Sequence, residues 1–124
     1  MSADKLITDR PRRSAMYTPG ANERALEKGR GVPADILIMD LEDGVAPDVK
    51  DFARDNILRV LGEGGYGRRE IGVRINGAGS EWHEKDVAAI VTSGADMLVV
   101  PKVDSPDTVI AINKLMEAAN APAE

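Results

Sequence analysis

The sequence contains no cysteine and a single histidine, His83. The absence of cysteine excludes disulfide bonds, thiol nucleophiles and zinc–thiolate sites. One histidine leaves no pair of imidazoles for a metal site, and the residues around His83 do not form the H-E-x-x-H motif. We therefore interpret His83, which shares a predicted helix face with Val87 and Ile90, as a structural residue.

Long apolar runs and excess positive charge are also missing. No segment approaches the ~20 apolar residues of a membrane-spanning helix, and residues 1–13 lack the apolar core of a signal peptide. The formal net charge is −5, whereas nucleic-acid-binding proteins present a basic face. We expect a cytoplasmic protein whose partners are neither membranes nor nucleic acids.

Hydrophobic residues make up 43% of the 124 residues, and aromatic residues only 3%. This length and composition predict one globular domain with a mainly aliphatic core. Four apolar segments, residues 14–20, 34–41, 70–76 and 95–103, alternate with amphipathic segments. Helix starts are indicated at Asn22, Pro47 and Ser105.

Strands that alternate with helices in this way form parallel α/β sheets. Two architectures fit four such units. One is an open doubly wound sheet, and the other is the first half of a (β/α)₈ barrel, which typically needs ~250 residues.

The segment GEGGYG (residues 62–67) matches the spacing G-x-G-x-x-G. The dinucleotide-binding fingerprint must follow a strand and open a helix. This segment instead follows a predicted helix and precedes a predicted strand. We interpret it as a helix end and a flexible loop.

Polar, charged and turn-forming residues collect at the carboxyl ends of all four predicted strands, where parallel α/β proteins place their functional sites. The residues concerned are Tyr17, Thr18, Pro19 and Gly20, then Asp40, Glu42 and Asp43, then Arg74 and Asn76, and finally Lys102.

Strand parity places Gly72 and Arg74 on one face of the third strand, opposite Ile71, Val73 and Ile75. The permanent charge of Arg74 needs an anion, and its planar guanidinium suits a carboxylate. That anion is either a substrate or an acid of the second strand. The remaining acids would face a hard divalent cation such as Mg²⁺, directly or through its waters.

Four segments together resemble the N-terminal half of the citrate lyase β-subunit family, which belongs with malyl-CoA lyases in the HpcH/HpaI aldolase superfamily. They are RPRRSAMYTPGANERALEKGR, ILIMDLEDGVAPDVKDFAR, VRING and VVPKVDSPDTV. The resemblance covers roughly residues 11–118 and implies a TIM (β/α)₈ barrel. Residues 1–13 would be an N-terminal extension, and residues 14–121 would be the first four βα units, so that 1–124 forms half a barrel.

The resemblance implies Mg²⁺-dependent cleavage or formation of a C–C bond in a CoA thioester of citryl-CoA or malyl-CoA type. The products would be acetyl-CoA and a 2-oxoacid. The catalytic residues would be Arg74, Asp40, Glu42 and Asp43, and Arg74 would also bind the oxoacid carboxylate. Glu42 and Asp43 would order water around the metal.

The resemblance also implies a substrate-binding set made of Tyr17, Pro19, Gly20, Lys28, Asn76 and Lys102. Asn22 stands where some members carry an arginine that contacts CoA. HpaI-type aldolases, which act on free hydroxy-oxoacids, have a catalytic histidine where this chain has Asp43. That difference favours the CoA-dependent branch, and a CoA-independent 2-oxoacid aldolase is the alternative enzyme.

The family's direct metal ligands lie on the fifth and sixth strands, so we expect none in this chain. The sequence is therefore expected to be part of a longer protein and inactive alone. Family members are commonly trimers or hexamers, which implies a homo-oligomer. A non-catalytic half-barrel that binds a ligand or assembles with its own copies is the alternative from a different class.

Overall fold

The computed structural model describes residues 13–119, which contain four strands and four α-helices. The strands are β1 (Ala15–Pro19), β2 (Ile36–Asp40), β3 (Glu70–Arg74) and β4 (Met97–Val99). The helices are α1 (Glu23–Lys28), α2 (Lys50–Glu63), α3 (His83–Ile90) and α4 (Pro106–Ala118). The predicted extension (1–13) lies almost entirely outside the described residues, as does the end of the predicted fourth unit.

The four strands form one parallel sheet in the order β1-β2-β3-β4. A doubly wound sheet reverses its strand order at a switch point, and the described sheet has no such reversal. Successive right-handed crossovers without reversal place every helix on the same face. The order is therefore that of a barrel wall, with β1 and β4 at its two edges in the described part.

The core lies between that face of the sheet and the helices. Leu37 and Met39 of β2 and Val73 of β3 pack in one cluster with Ile57 of α2 and Ile90 of α3. The three strand residues, Leu37, Met39 and Val73, point to the same face of the sheet, as a sheet covered by helices on that face requires. The opposite face carries Tyr17, Ile38, Gly72 and the charged side chains of Asp40 and Arg74.

Several predicted boundaries are confirmed by local contacts. The Asn22 side chain accepts a hydrogen bond from the backbone N–H of Ala25 at 3.0 Å, which caps α1. Gly64 ends α2 with a φ of 73°, a left-handed conformation that favours glycine. GEGGYG is thus a helix end and a loop.

Other expectations need correction. The fourth strand was expected over 95–103, but β4 is limited to Met97–Val99, and Lys102 just beyond it has a φ of 53°, which no strand residue adopts. The α2 helix begins at Lys50, after a 3₁₀ turn over Pro47–Val49.

No helix among residues 13–119 combines the length and the apolar character needed to cross a membrane.

Candidate active site

Arg74 and Asp40 form a two-point ion pair at the carboxyl ends of β3 and β2. The two residues are partners in the parallel register, so their side chains leave the sheet side by side. Arg74 Nε donates to Asp40 Oδ1 at 2.8 Å, and Arg74 Nη2 donates to Oδ2 at 2.7 Å. The sequence left two possible partners for Arg74, a substrate or an acid of the second strand. The structure shows that an acid of the second strand, Asp40, is a partner.

Asp40 is saturated with hydrogen bonds. Besides the two from Arg74, the backbone N–H of Glu42 donates to Oδ1 at 2.9 Å and that of Gly44 to Oδ2 at 2.7 Å. Burial acts to raise the pKa of the Asp40 carboxyl, but these donors outweigh it and hold the pKa below its ordinary value. Asp40 is therefore a fixed anion that orients Arg74, and it is poorly suited to accept a proton.

Arg74 keeps one edge of its guanidinium available. Asp40 occupies Nε and one Nη2 hydrogen, and no residue of the described part bonds Nη1. The hydrogen bonds to Asp40 raise the pKa of Arg74, which keeps its charge permanent. A second carboxylate can thus bind the Nη1–Nη2 edge in two-point fashion.

Tyr17 of β1 packs against Arg74 of β3 from across β2. The Arg74 Cζ lies 4.8 Å from the Tyr17 ring centroid, which is cation–π distance. The Tyr17 side chain is 50% exposed, so its ring also presents surface to a ligand beside the free guanidinium edge.

Glu42 lies between the two cations of the rim. Its Oε1 is 3.6 Å from Arg74 Nε, and its Oε2 is 3.8 Å from Lys102 Nζ. The Glu42 side chain is only 12% exposed, whereas that of Lys102 is 83% exposed. Asp43, on the next position of the loop, is exposed. The three motif acids therefore differ in setting, with Asp40 sealed, Glu42 partly covered and Asp43 open to solvent.

Gly20 and Gly44 allow the chain to close tightly around Asp40. A Cβ at Gly44 would lie 2.7 Å from Asp40 Oδ2, and one at Gly20 would lie 2.9 Å from the Asp40 carbonyl oxygen. Either contact is too short for a side chain. The predicted substrate contact of Gly20 stays a prediction, and its described contacts are with the backbone of β2 and the side chains of α2.

Two further predicted substrate contacts, Pro19 and Lys28, are exposed. Pro19, at the end of β1, is exposed and pairs in register with Asp40. Lys28 is exposed in the last turn of α1. Gly72, on the same face of β3 as Arg74, faces Met97 and Val99 of β4, which a Cβ would approach to 3.2 Å.

Asn76 belongs to an interior network behind the rim. Its side-chain amide donates to Asp86 Oδ2 at 2.6 Å, and its backbone N–H donates to the same oxygen at 3.0 Å. Asp86 Oδ1 accepts from Arg54 Nε at 2.9 Å, and His83 Nδ1 lies 2.8 Å from the Asn76 carbonyl, to which it donates. His83 is structural in the way the sequence indicated. The substrate contact predicted for Asn76 stays a prediction, since its described partners are internal.

Sequence reasoning overlooked Lys50. Its ammonium is buried and donates to three backbone carbonyls of the loop that carries the acids. The one available signal was its position, because a lysine at the start of a helix opposes the helix dipole.

The oxygen donors fit a supporting role toward Mg²⁺. Within the described residues, no three acids stand close enough together to hold a metal ion among themselves. Asp40 has no free carboxylate oxygen, whereas Glu42 and Asp43 retain oxygens that can accept hydrogen bonds from the waters of a hydrated cation.

Residues 13–122 match the HpcH/HpaI aldolase/citrate lyase family. The chain is 49% identical over 106 residues to a (3S)-malyl-CoA thioesterase of Cereibacter sphaeroides, a match covering 86% of this chain and 37% of that protein. It is 41% identical over 105 residues to the citrate lyase subunit beta of Escherichia coli, covering 85% of this chain and 35% of that protein.

A solved structure of CitE from Mycobacterium tuberculosis, complexed with the triphosphate group of ATP, has the same fold. Its TM-score is 0.66 at 28% identity, and the match covers 86% of this chain and 46% of that one. The chain spans about 37% of the length of the curated relative that is 49% identical to it, and its strand order is that of a barrel wall. The sequence and structure together therefore establish that this chain is part of a TIM barrel and belongs to the HpcH/HpaI aldolase/citrate lyase family.

Proposed function

We propose that the whole protein is a Mg²⁺-dependent carbon–carbon lyase that acts on the CoA thioester of a hydroxy acid. Its products are acetyl-CoA and a 2-oxoacid. Family membership supports a CoA thioester as substrate. The geometry of Arg74 is the observation that supports binding of a 2-oxoacid carboxylate. A permanent cation, fixed on one edge by Asp40 and free on the other, is suited to hold the carboxylate of an oxoacid.

In this reaction the hydroxyl group loses its proton and the neighbouring C–C bond breaks. The electron pair of that bond passes to the carbon next to the thioester, which then takes up a proton to give acetyl-CoA. Mg²⁺, when bound, supplies Lewis-acid stabilisation of the negative charge on oxygen. The residues of this chain contribute binding and orientation.

Each rim residue has a distinct part in the proposal. Arg74 binds the carboxylate, and Asp40 fixes the plane of the Arg74 guanidinium. Glu42 and Asp43 orient water around the cation, whose direct ligands are expected outside this chain. Asp40 thus acts through Arg74, a narrower part than the catalytic role expected from the sequence.

The acyl-CoA contacts are proposed for Tyr17, Pro19, Gly20, Lys28 and Lys102. Tyr17 and Lys28 are exposed, and Lys102 carries a largely exposed ammonium. Aromatic and cationic side chains of this kind suit the adenine ring and the phosphates of CoA. The contact proposed for Asn76 has less support because its amide is internal.

A homo-oligomer, trimeric or hexameric, and a cytoplasmic location are also part of the proposal. Both are supported by family membership alone.

Product analysis tests the reaction. The whole protein is supplied with malyl-CoA or citryl-CoA in the presence of Mg²⁺, and acetyl-CoA and 2-oxoacid are quantified by chromatography. We expect the two products in equal amounts and their loss on chelation of Mg²⁺. Turnover of free hydroxy-oxoacids but not of the thioesters would favour the CoA-independent aldolase, and no turnover of any of them would favour the non-catalytic half-barrel.

Thioester hydrolysis is a second candidate, because the relative at 49% identity is named a malyl-CoA thioesterase. Hydrolysis releases free CoA and the intact hydroxy acid, whereas lyase chemistry releases acetyl-CoA. A thiol-reactive dye therefore separates the two reactions in the same assay, since only hydrolysis produces a free thiol.

A further inference from the structure

Lys50 occupies a position that is unfavourable for a cation in two ways. It is the first residue of α2, where the helix dipole places partial positive charge. It is also buried, with 6% of its surface exposed, and an unpaired buried ammonium is costly. Within residues 13–119 no carboxylate lies within ion-pair distance of its Nζ, so other groups must compensate the charge.

Three backbone carbonyls provide that compensation. Lys50 Nζ donates to the carbonyl oxygens of Leu41 at 2.9 Å, Glu42 at 2.9 Å and Val45 at 3.0 Å. An ammonium has three N–H groups, so each one has its own acceptor. The Trp82 ring covers the same ammonium, with its centroid 5.1 Å from Nζ.

The three carbonyls all belong to the loop of residues 41–45, which follows β2 and carries the rim acids. The same loop is tied from its other side, since the Glu42 and Gly44 amides donate to the Asp40 carboxylate. No strand or helix holds these residues. The loop backbone is therefore wound between one buried anion, Asp40, and one buried cation, Lys50.

We propose that Lys50 is a positioning residue, whose ammonium fixes the backbone of loop 41–45 and thereby the placement of Glu42 and of the amides that bind Asp40. Its consequence for catalysis rests on the lyase function proposed above. Loss of the ammonium removes three hydrogen bonds from these carbonyls and loosens the loop. Glu42 and the Asp40–Arg74 pair then lose their fixed relation to the substrate.

The test compares Lys50→Met with Lys85→Met, a matched control, because Lys85 is an exposed lysine of α3. The first readout is amide hydrogen exchange at Glu42, Gly44 and Val45 in the folded protein. We expect exchange there to accelerate at least about 10-fold in Lys50→Met relative to the amides of β2 and α2, and to stay unchanged in Lys85→Met.

The second readout is the division of the kinetic effect between kcat and KM. We expect Lys50→Met to lower kcat about 10- to 100-fold, while KM for the acyl-CoA stays within about 2-fold, since the proposed CoA contacts of Tyr17 and Lys28 lie outside the loop. If Lys50 served stability alone, Lys50→Met would lower Tm and leave the kcat of the folded protein unchanged.

Exchange at 42–45 as slow as in the wild type, or faster exchange spread evenly over the chain with unchanged kcat, overturns the proposal. If Lys50→Met does not fold, the same exchange measurement is made on Lys50→Gln, which keeps two N–H donors. Faster exchange at 42–45 is again the expected result, and wild-type exchange there overturns the proposal. If the wild-type protein produces neither acetyl-CoA nor a 2-oxoacid, the proposed function fails. The exchange at 42–45 still decides whether Lys50 holds the loop.

Discussion

Two of the arginine–aspartate pairs in this fold differ in their setting, one lying at the rim and one in the interior. Arg74 and Asp40 join two strand ends, and Arg54 and Asp86 join α2 to α3. Both contacts are short, with N–O distances of 2.7 Å and 2.9 Å. Their surroundings differ, because the Arg74 side chain is 22% exposed and that of Arg54 is 11% exposed.

The difference lies in what each pair leaves available. Asp86 accepts from Arg54 on one oxygen and from Asn76 on the other, and Arg54 also bonds Asp51. The interior pair therefore holds two helices together, and Arg54 Nη2, which has no partner among the described residues, is buried where no ligand reaches it from solvent. The rim pair is closed on the aspartate side and open on the arginine side, where a ligand carboxylate can bind. The same two residue types thus perform a structural task at one place and a proposed binding task at the other.

The largest expected effect comes from changing each arginine to lysine, which keeps the charge but removes the planar two-point geometry. Arg74→Lys should lower kcat/KM about 100-fold, since a charged hydrogen bond contributes roughly 1.5–3 kcal/mol. Arg54→Lys should instead lower the free energy of unfolding by about 1–3 kcal/mol. Steady-state kinetics and urea denaturation of both variants measure this. Equal activity losses in the two variants would contradict the distinction.

A smaller effect is expected where a methyl group disturbs the rim without changing its charge. The Cβ of Gly44→Ala would lie 2.7 Å from Asp40 Oδ2, which must shift and turn the Arg74 guanidinium with it. We expect kcat/KM to fall about 10-fold. Gly62→Ala in α2 is the control, because its Cβ meets nothing within 4 Å. Wild-type kinetics in Gly44→Ala would show that the Asp40 position does not matter for the reaction.

The pH dependence of stability should report the contribution of Asp40 in the rim pair. The pKa of Asp40 is lowered in the folded protein, so its contribution is fully present above the unfolded aspartate pKa of about 3.9. That contribution is lost as the pH falls through the lower folded value. The stability difference between wild type and Asp40→Asn should therefore shrink as the pH falls from about 6 through about 3.9 and below. Denaturant unfolding across this range measures it, and a constant difference would refute the assignment.

The smallest effect is expected at Lys102. Its ammonium is mostly exposed and 3.8 Å from Glu42, a geometry that contributes little to stability. We expect Lys102→Met to leave Tm unchanged and to raise KM for the acyl-CoA about 3-fold, in line with a solvent-screened contact. An unchanged KM would remove Lys102 from the substrate-binding set.

The sequence was sufficient to predict the four βα units, because alternation of apolar and amphipathic segments depends on local pattern. It also placed Arg74 on the face of its strand opposite Ile71, Val73 and Ile75, since strand parity is regular. The family resemblance supplied the barrel, which spacing alone left open against a doubly wound sheet.

Other features depend on contacts that carry no sequence pattern. Lys50 binds backbone carbonyls, and every residue has a carbonyl, so no motif marks its partners. Asn76 continues the rim in sequence, but the chain turns inward after β3 and its amide meets Asp86. β4 ends at Val99, and Lys102, three residues later, has a left-handed backbone that lysine seldom adopts and that no sequence pattern marks.

The central claim is that the free edge of Arg74 holds the carboxylate of the 2-oxoacid. The most direct measurement is the affinity of the whole protein for a 2-oxoacid such as glyoxylate or oxaloacetate, determined with Mg²⁺ by calorimetry for wild type and Arg74→Lys, with acetyl-CoA as the reference ligand. We predict oxoacid binding at least about 10-fold weaker in the variant, with acetyl-CoA affinity unchanged. Equal oxoacid affinity in the two proteins would contradict the account.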